Sequence, residues 1–268
     1  MPTFIAAGRR RAGRPGDGVK PVDPRAATVV AEGDVVEARV RAIDWMAVAA
    51  DVDAEGTALL DGLIAPAECA ALAALYADEA SFRSRVVMAR HGFGRGEYKY
   101  FAYPLPDLVA RLRTALYARL APIADRWHAA LGSTVRFPPA HADYVARCHA
   151  GGQRRPTPLL LRYGAGDYNC LHQDLYGEHV FPLQVVVMLS AAGRDFTGGE
   201  LVLTEQRPRM QSRPIVVPLQ QGDAAVIATH TRPVRGTRGH YRVNLRHGVA
   251  RVRTGRRHTL GLIFHDAT

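Results

Sequence analysis

After Pro158 the chain loses helical periodicity and becomes a succession of short, β-rich segments separated by Gly, Pro, Asn and Asp. These are Leu159–Tyr163, Gln184–Leu189, Glu200–Leu203, Ile215–Pro218, Ala224–Ala228, Tyr241–His247 and Thr259–Phe264. Seven short strands in so little chain bury their apolar faces only by stacking or closing, which predicts a β-sandwich or barrel. Before Pro158 the texture is mainly helical. Pro66–Tyr76 carries strong helix formers with apolar residues at helical spacing. Pro106 and Asp107 open a second helix through Leu108, Leu112 and Leu116, with an interruption expected at Pro122 and resumption to about Leu131. A third, short helix is predicted over His141–Cys148. The expected class is α+β: a helical N-terminal half packed on a double-stranded β-helix, a jelly-roll form. Residues 1–38 read as a basic flexible arm, 39–150 as a mainly helical support region, and 151–268 as the β core.

Within the β region, the run ending in His172-Gln173-Asp174 places an imidazole and a carboxylate two residues apart. In extended chain, positions i and i+2 share a face, so both side chains reach one ion. With a second His from a distant strand they make a two-His, one-carboxylate facial triad. Such a triad leaves coordination positions open, as an Fe(II) oxygenase requires for O2. His247 is the preferred third ligand over His230, because Gly255 and Arg257 continue the pattern after it. A dicarboxylic co-substrate such as 2-oxoglutarate chelates iron through its 2-oxo acid and leaves a far carboxylate that needs a partner. A guanidinium is a planar, bidentate match, and Arg257, just before an apolar strand, is the expected one.

His-Gln-Asp, a distant His and a following Gly-x-Arg resemble the Fe(II)/2-oxoglutarate dioxygenase superfamily. The stretch from Arg162 and Tyr163 to Leu171-His172-Gln173-Asp174 is similar to AlkB-type nucleic-acid demethylases. That resemblance implies that Tyr163 helps to bind 2-oxoglutarate. The ten-residue spacing from His247 to Arg257 instead resembles the prolyl hydroxylase branch. From about residue 44 onward the chain is similar to a bacterial family of nucleic-acid oxygenases acting on damaged DNA, on phrases such as His91–Pro106 and Gly198–Pro214. The resemblance implies oxidation of alkyl lesions on DNA or RNA; hydroxylation of a protein side chain is the alternative.

Charge bears on the partner. The net formal charge is +10, and from Arg207 to Arg257 twelve arginines face one carboxylate, Asp223. Such a field attracts polyanions, nucleic acid being the usual one, although a general preference for Arg and Ala explains it equally. Met88–Pro106 reads as a substrate lid with glycine hinges, offering Arg95, Tyr98, Lys99 and Tyr100 for stacking and charge. Its alternative is a loop whose aromatics pack against the barrel mouth. Arg207 and Arg209 are expected at a basic hairpin that contacts phosphates or is simply solvated. Cys69, Cys148 and Cys170 form no regular framework, and Cys170 is expected to be a small buried residue. No apolar run of membrane-spanning length occurs, so a soluble cytoplasmic protein without membrane contact is expected.

Overall fold

In this computed structural model, residues 35–268 are described; the basic arm expected over 1–38 therefore falls almost wholly outside the described residues. The N-terminal part contributes α1 (35–42), α2 (Trp45–Glu55), β1 (Thr57–Leu60), α3 (Pro66–Ala74), β2 (Phe82–Val87), β3 (Gly94–Arg95), β4 (Glu97–Phe101), α4 (Asp107–Ala130) and α5 (His141–Ala150). The remainder is β5 (Leu159–Gly164), β6 (Tyr168–His172), β7 (Leu183–Met188), β8 (Phe196–Gly198), β9 (Leu201–Gln206), β10 (Arg213–Val217), β11 (Ala224–Ala228), β12 (Thr231–Gly236), β13 (Gly239–Val249) and β14 (Val252–Leu262).

The strands form two antiparallel sheets. One runs β1-β11-β7-β14-β5-β4-β2, with β8 attached to β14; the other runs β10-β9-β13-β6-β3, with β12 attached to β13. Together they make the expected double-stranded β-helix. Strand β11 is buried along its whole length between β1 and β7, and it reads as an unbroken run of Ala, Val and Ile. Val185, Val187, Leu260 and Leu262 from the adjoining strands are also fully buried, each worth ~1.5–3 kcal/mol in apolar area removed from water.

The helices follow from local chemistry. Asp44 caps α2 by accepting from the Met46 and Ala47 amides at 3.0 and 3.1 Å, and Gly56 ends it at φ 76°. In α4, Val109, Leu112, Leu116, Leu120, Ile123 and Trp127 make one buried stripe. This helix is continuous, which corrects the expected break at Pro122. Pro122 and Ala118 both lie on the exposed face, so water can reach the carbonyl that loses its amide partner. Arg113 of α4 anchors to the chain end, donating to the Ile263 carbonyl at 2.8 Å and to Asp266 at 2.8 Å.

A second correction concerns Met88–Pro106. Residues 97–101 are strand β4, paired with β2 on one side and β5 on the other, rather than part of a hinged lid. Alternation then decides exposure: Glu97, Lys99 and Phe101 share one face, Tyr98 and Tyr100 the other. Strand β1 likewise pairs with β11, so segments on both sides of Pro158 build one sheet.

Candidate active site

A cavity of about 330 Å3 lies between the two sheets. Leu161 and Tyr163 of β5, Gln184 and Val186 of β7, and Arg257 and Thr259 of β14 line one wall. His172 and His247 line the other. The two imidazoles are direct cross-strand neighbours, because His247 of β13 is in register with His172 of β6. Their ring centroids are 4.3 Å apart. Asp174 follows two residues after the end of β6, with Oδ2 3.2 Å from His247 Nε2 and Oδ1 3.6 Å from His172 Nε2. One ligand atom from each of the three lies within 4.8 Å of the others.

Surrounding groups hold these side chains in place. Nδ1–H of His172 donates to the Cys170 carbonyl at 2.8 Å, leaving the Nε2 lone pair toward Asp174. The Tyr176 hydroxyl donates to Asp174 Oδ1 at 2.6 Å and receives from Tyr100 at 3.0 Å. Gln173, between the two ligand candidates, points the other way and donates to the His230 and Leu245 carbonyls at 3.0 and 2.8 Å. Gln184 Nε2 lies 3.4 Å from His247 Nε2. Burial opposes ionisation of Asp174, yet hydrogen bonding and charge from His247 outweigh it and hold the carboxyl far below its ordinary range. Burial, reinforced by His247, also lowers the His172 imidazole. The set is therefore a carboxylate beside a readily neutral imidazole, the protonation states that metal ligation needs.

Arg257 and Tyr163 form another cross-strand pair in the same cavity, on β14 and β5. Both are completely buried, and the guanidinium carbon is 5.4 Å from the Tyr163 ring centroid. Arg257 Nη1 donates to Thr259 Oγ1 at 3.4 Å, while Nε, Nη2 and the Tyr163 hydroxyl have no partner. Burial pushes Arg257 down to about 10. A cation withdrawn from water with unpaired donors is costly unless an anion meets it. This cradle fits a carboxylate.

Other residues singled out by sequence are dispersed. Tyr98 lines the cavity. Tyr100 is buried under it, tied to Tyr176, and does not form a stacking platform. Lys99 is a correction: it is 3% exposed, on the opposite face of β4, donating to the Tyr76 carbonyl at 2.9 Å and paired with Glu79. Arg95 is exposed on β3. Arg207 is held by Glu205 at 2.7 Å, whereas Arg209 sits exposed between β9 and β10 with φ 62°. His230 turns its side chain to a different cavity. Cys170 is exposed and lines the mouth, contrary to the buried position expected, because the edge region of β6 is covered only by the short β3.

Sequence reasoning passed over Tyr176, Gln184, Phe93 and Leu171. For Gln184 the signal is a polar residue at an inward position of an otherwise apolar strand. Phe93 and Leu171, exposed by 48% and 44%, form an apolar lip at the cavity mouth, and no periodic pattern marks such a lip.

A family model described as "Oxygenase, catalysing oxidative methylation of damaged DNA" matches residues 96–267. An uncharacterized protein of Mycobacterium tuberculosis, found in strains CDC 1551 and H37Rv, is 52% identical over 167 residues. These are 62% of this chain and 72% of that protein. Among solved structures, an oxidoreductase of the 2OG-Fe(II) oxygenase family from Burkholderia pseudomallei is 18% identical with a TM-score of 0.47. The match covers 85% of this chain and 94% of that one. A prolyl hydroxylase from Trichoplax adhaerens, in complex with a hypoxia inducible factor peptide fragment, is 12% identical with a TM-score of 0.49. Its match covers 87% and 90% of the two chains.

Proposed function

The chain belongs to the family of oxygenases described as acting on damaged DNA, and we propose that it is an Fe(II)- and 2-oxoglutarate-dependent dioxygenase that oxidises alkyl lesions on DNA or RNA. His172, Asp174 and His247 would hold the iron on one side. Arg257 and Tyr163 would hold the far carboxylate of 2-oxoglutarate. When bound, the metal and its co-substrate supply the activation of O2 that C–H oxidation requires. The protein's own contribution is position and a largely apolar lining. Tyr176 orients Asp174, the Cys170 carbonyl selects the His172 tautomer, and Leu161, Val186 and Tyr98 give the cavity an apolar lining.

The buried Arg257–Tyr163 pair with its unpaired donors carries this reading: it accounts for a charge that the apolar cavity otherwise disfavours. The choice of nucleic acid is supported by the family description and by the apolar lip of Phe93 and Leu171, which suits a flat base. A base inside a duplex has to be flipped out to reach the cavity. Three free thiols among the described residues suit a reducing, cytoplasmic setting.

Incubation with Fe(II), 2-oxoglutarate, O2 and a methylated single-stranded oligonucleotide tests the proposal, with succinate and formaldehyde scored together. Formaldehyde that requires both the methyl group and His172 is the expected result. Succinate without formaldehyde on methylated DNA and RNA, together with hydroxylation of a proline-containing peptide, overturns the substrate and favours the protein-hydroxylase alternative that the His247–Arg257 spacing raises.

A further inference from the structure

Asp174 opens a loop that is pinned from two sides. On one side, Gln153 donates to the backbone carbonyls of Tyr176 and His179 at 3.3 and 3.1 Å. Gly177, at φ 131°, lets Gln153 pack this closely; a Cβ there would meet its side-chain amide carbon at 2.5 Å. On the other side, the Tyr176 hydroxyl stands 2.6 Å from Asp174 Oδ1. An ionised carboxylate only accepts, so the phenol proton is committed to it. The Tyr176 oxygen is then left as an acceptor, and the Tyr100 hydroxyl donates to it at 3.0 Å. Tyr100 comes from β4. Arg83 of β2 lies over its ring at 4.5 Å and is itself fixed by donating to the Pro156 carbonyl at 2.9 Å. Hydroxyls aligned in this way polarise one another and strengthen the final bond to the carboxylate.

A carboxylate takes a metal with one oxygen or with both. The two oxygens of Asp174 are unequal: Oδ1 holds the Tyr176 proton, whereas Oδ2 faces His247 Nε2 at 3.2 Å. We propose that Tyr176, backed by Tyr100, is a positioning residue that restricts Asp174 to a single metal contact through Oδ2, a role that rests on the metal site proposed above but not on the choice of substrate. A co-substrate that chelates with two atoms, together with O2, needs three positions beside the three protein ligands. A second oxygen from Asp174 would compete for one of them. Tyr100 thereby serves the metal site from β4, two strands removed from β14 and on the opposite sheet from both histidines.

The test loads the full chain with Mn(II) and measures water proton relaxation, which counts the exchangeable waters on the ion. Anaerobic titration with 2-oxoglutarate accompanies it. Three protein ligands leave roughly three waters on an octahedral ion, so Tyr176→Phe is expected to lower the relaxation enhancement by about one third. The same change is expected to weaken 2-oxoglutarate binding about tenfold. Tyr100→Phe leaves the Tyr176 phenol in place and is expected to shift both quantities in the same direction by less. A thermal melt establishes that each variant is folded, and Tyr100→Phe carries the test alone if Tyr176→Phe is not. A role in packing only would move the melt and leave the relaxation of the bound ion untouched. Unchanged relaxation in the folded variants therefore overturns the proposal, whatever the co-substrate affinity. Absence of Mn(II) binding, or binding that survives His172→Ala, overturns the metal site itself and this inference with it.

Discussion

Arg257 is a side chain whose energetics make sense only with a ligand. It is fully buried, it contacts the Tyr163 ring, and two of its nitrogens lack partners. Replacing a buried unpaired charge with an apolar side chain of similar reach relieves desolvation. Arg257→Met is therefore expected to stabilise the ligand-free protein by ~1–3 kcal/mol while weakening 2-oxoglutarate binding about a hundredfold, through loss of charge-assisted hydrogen bonds. Denaturant melts and co-substrate titration measure the two effects; loss of stability with unchanged affinity would make Arg257 a packing residue. At the same scale, His247→Ala is expected to abolish tight metal binding and His230→Ala to preserve it. His247 lies 3.2 Å from Asp174, whereas His230 faces a second cavity. Metal affinity measured under anaerobic conditions decides between the two histidines.

At the scale of elements, the candidate metal site depends on how closely β13 approaches β6. Gly248 follows His247 directly, and a Cβ there would meet the Asn169 carbonyl oxygen at 2.7 Å. Backbone cannot yield as a flexible side chain does, so Gly248→Ala is expected to push the strands apart and move His247 away from His172. The predicted outcome is a loss of metal affinity of about tenfold or more with a modest fall in stability, ~1–3 kcal/mol. Unchanged metal affinity would show that the ligand set tolerates a shift between strands. Helices α3 to α5 and most strands after Pro158 were legible because their periodicity is local. Strands β1, β2 and β4 were not, since short segments with few residues per face carry weak periodicity and become strands by pairing with distant partners. Tyr98 and Lys99 illustrate the point: adjacent residues attractive for a lid end on opposite faces of a sheet.

For the molecule as a whole, the formal charge overstates the free positive surface. Glu205 alone binds Arg207 and Arg232, Arg213 reaches Glu55, and Arg257 is sealed inside. Arg242, Arg246, Arg251, Arg253 and Arg256 are exposed and carry the field that a polyanion meets. Buried histidines add acid sensitivity. Burial pushes His141 down to about 4, and its ring bonds the Phe264 carbonyl at 2.9 Å, joining α5 to the chain after β14. The folded value lies below the unfolded one, so the unfolded chain takes up the proton first. The stabilisation is complete above the unfolded value of ~6.5 and is lost as pH falls toward 4, a total of ~3 kcal/mol for this group. His141→Gln keeps a donor but does not titrate. Its unfolding free energy is expected to fall less steeply over that interval than the wild type's, as urea titrations at several pH values measure; parallel curves would exclude His141 as a source.

What the sequence determined by itself was what neighbouring residues can encode: the short-strand texture after Pro158, the helical stripes of α3 to α5, and the i, i+2 presentation of His172 and Asp174. The choice among eleven histidines could be argued from spacing, but proximity to that pair arises only from the β13–β6 register. Tertiary structure also decided that Lys99 is an interior ion-pair partner, that Tyr176 and Gln184 attend the ligand candidates, and that α4, α5 and the turn after Asp174 enclose a second cavity. The physical reason is common to all of these. Backbone alternation fixes which side of an element a residue occupies, whereas what stands opposite depends on strand pairing and packing between residues far apart in the chain.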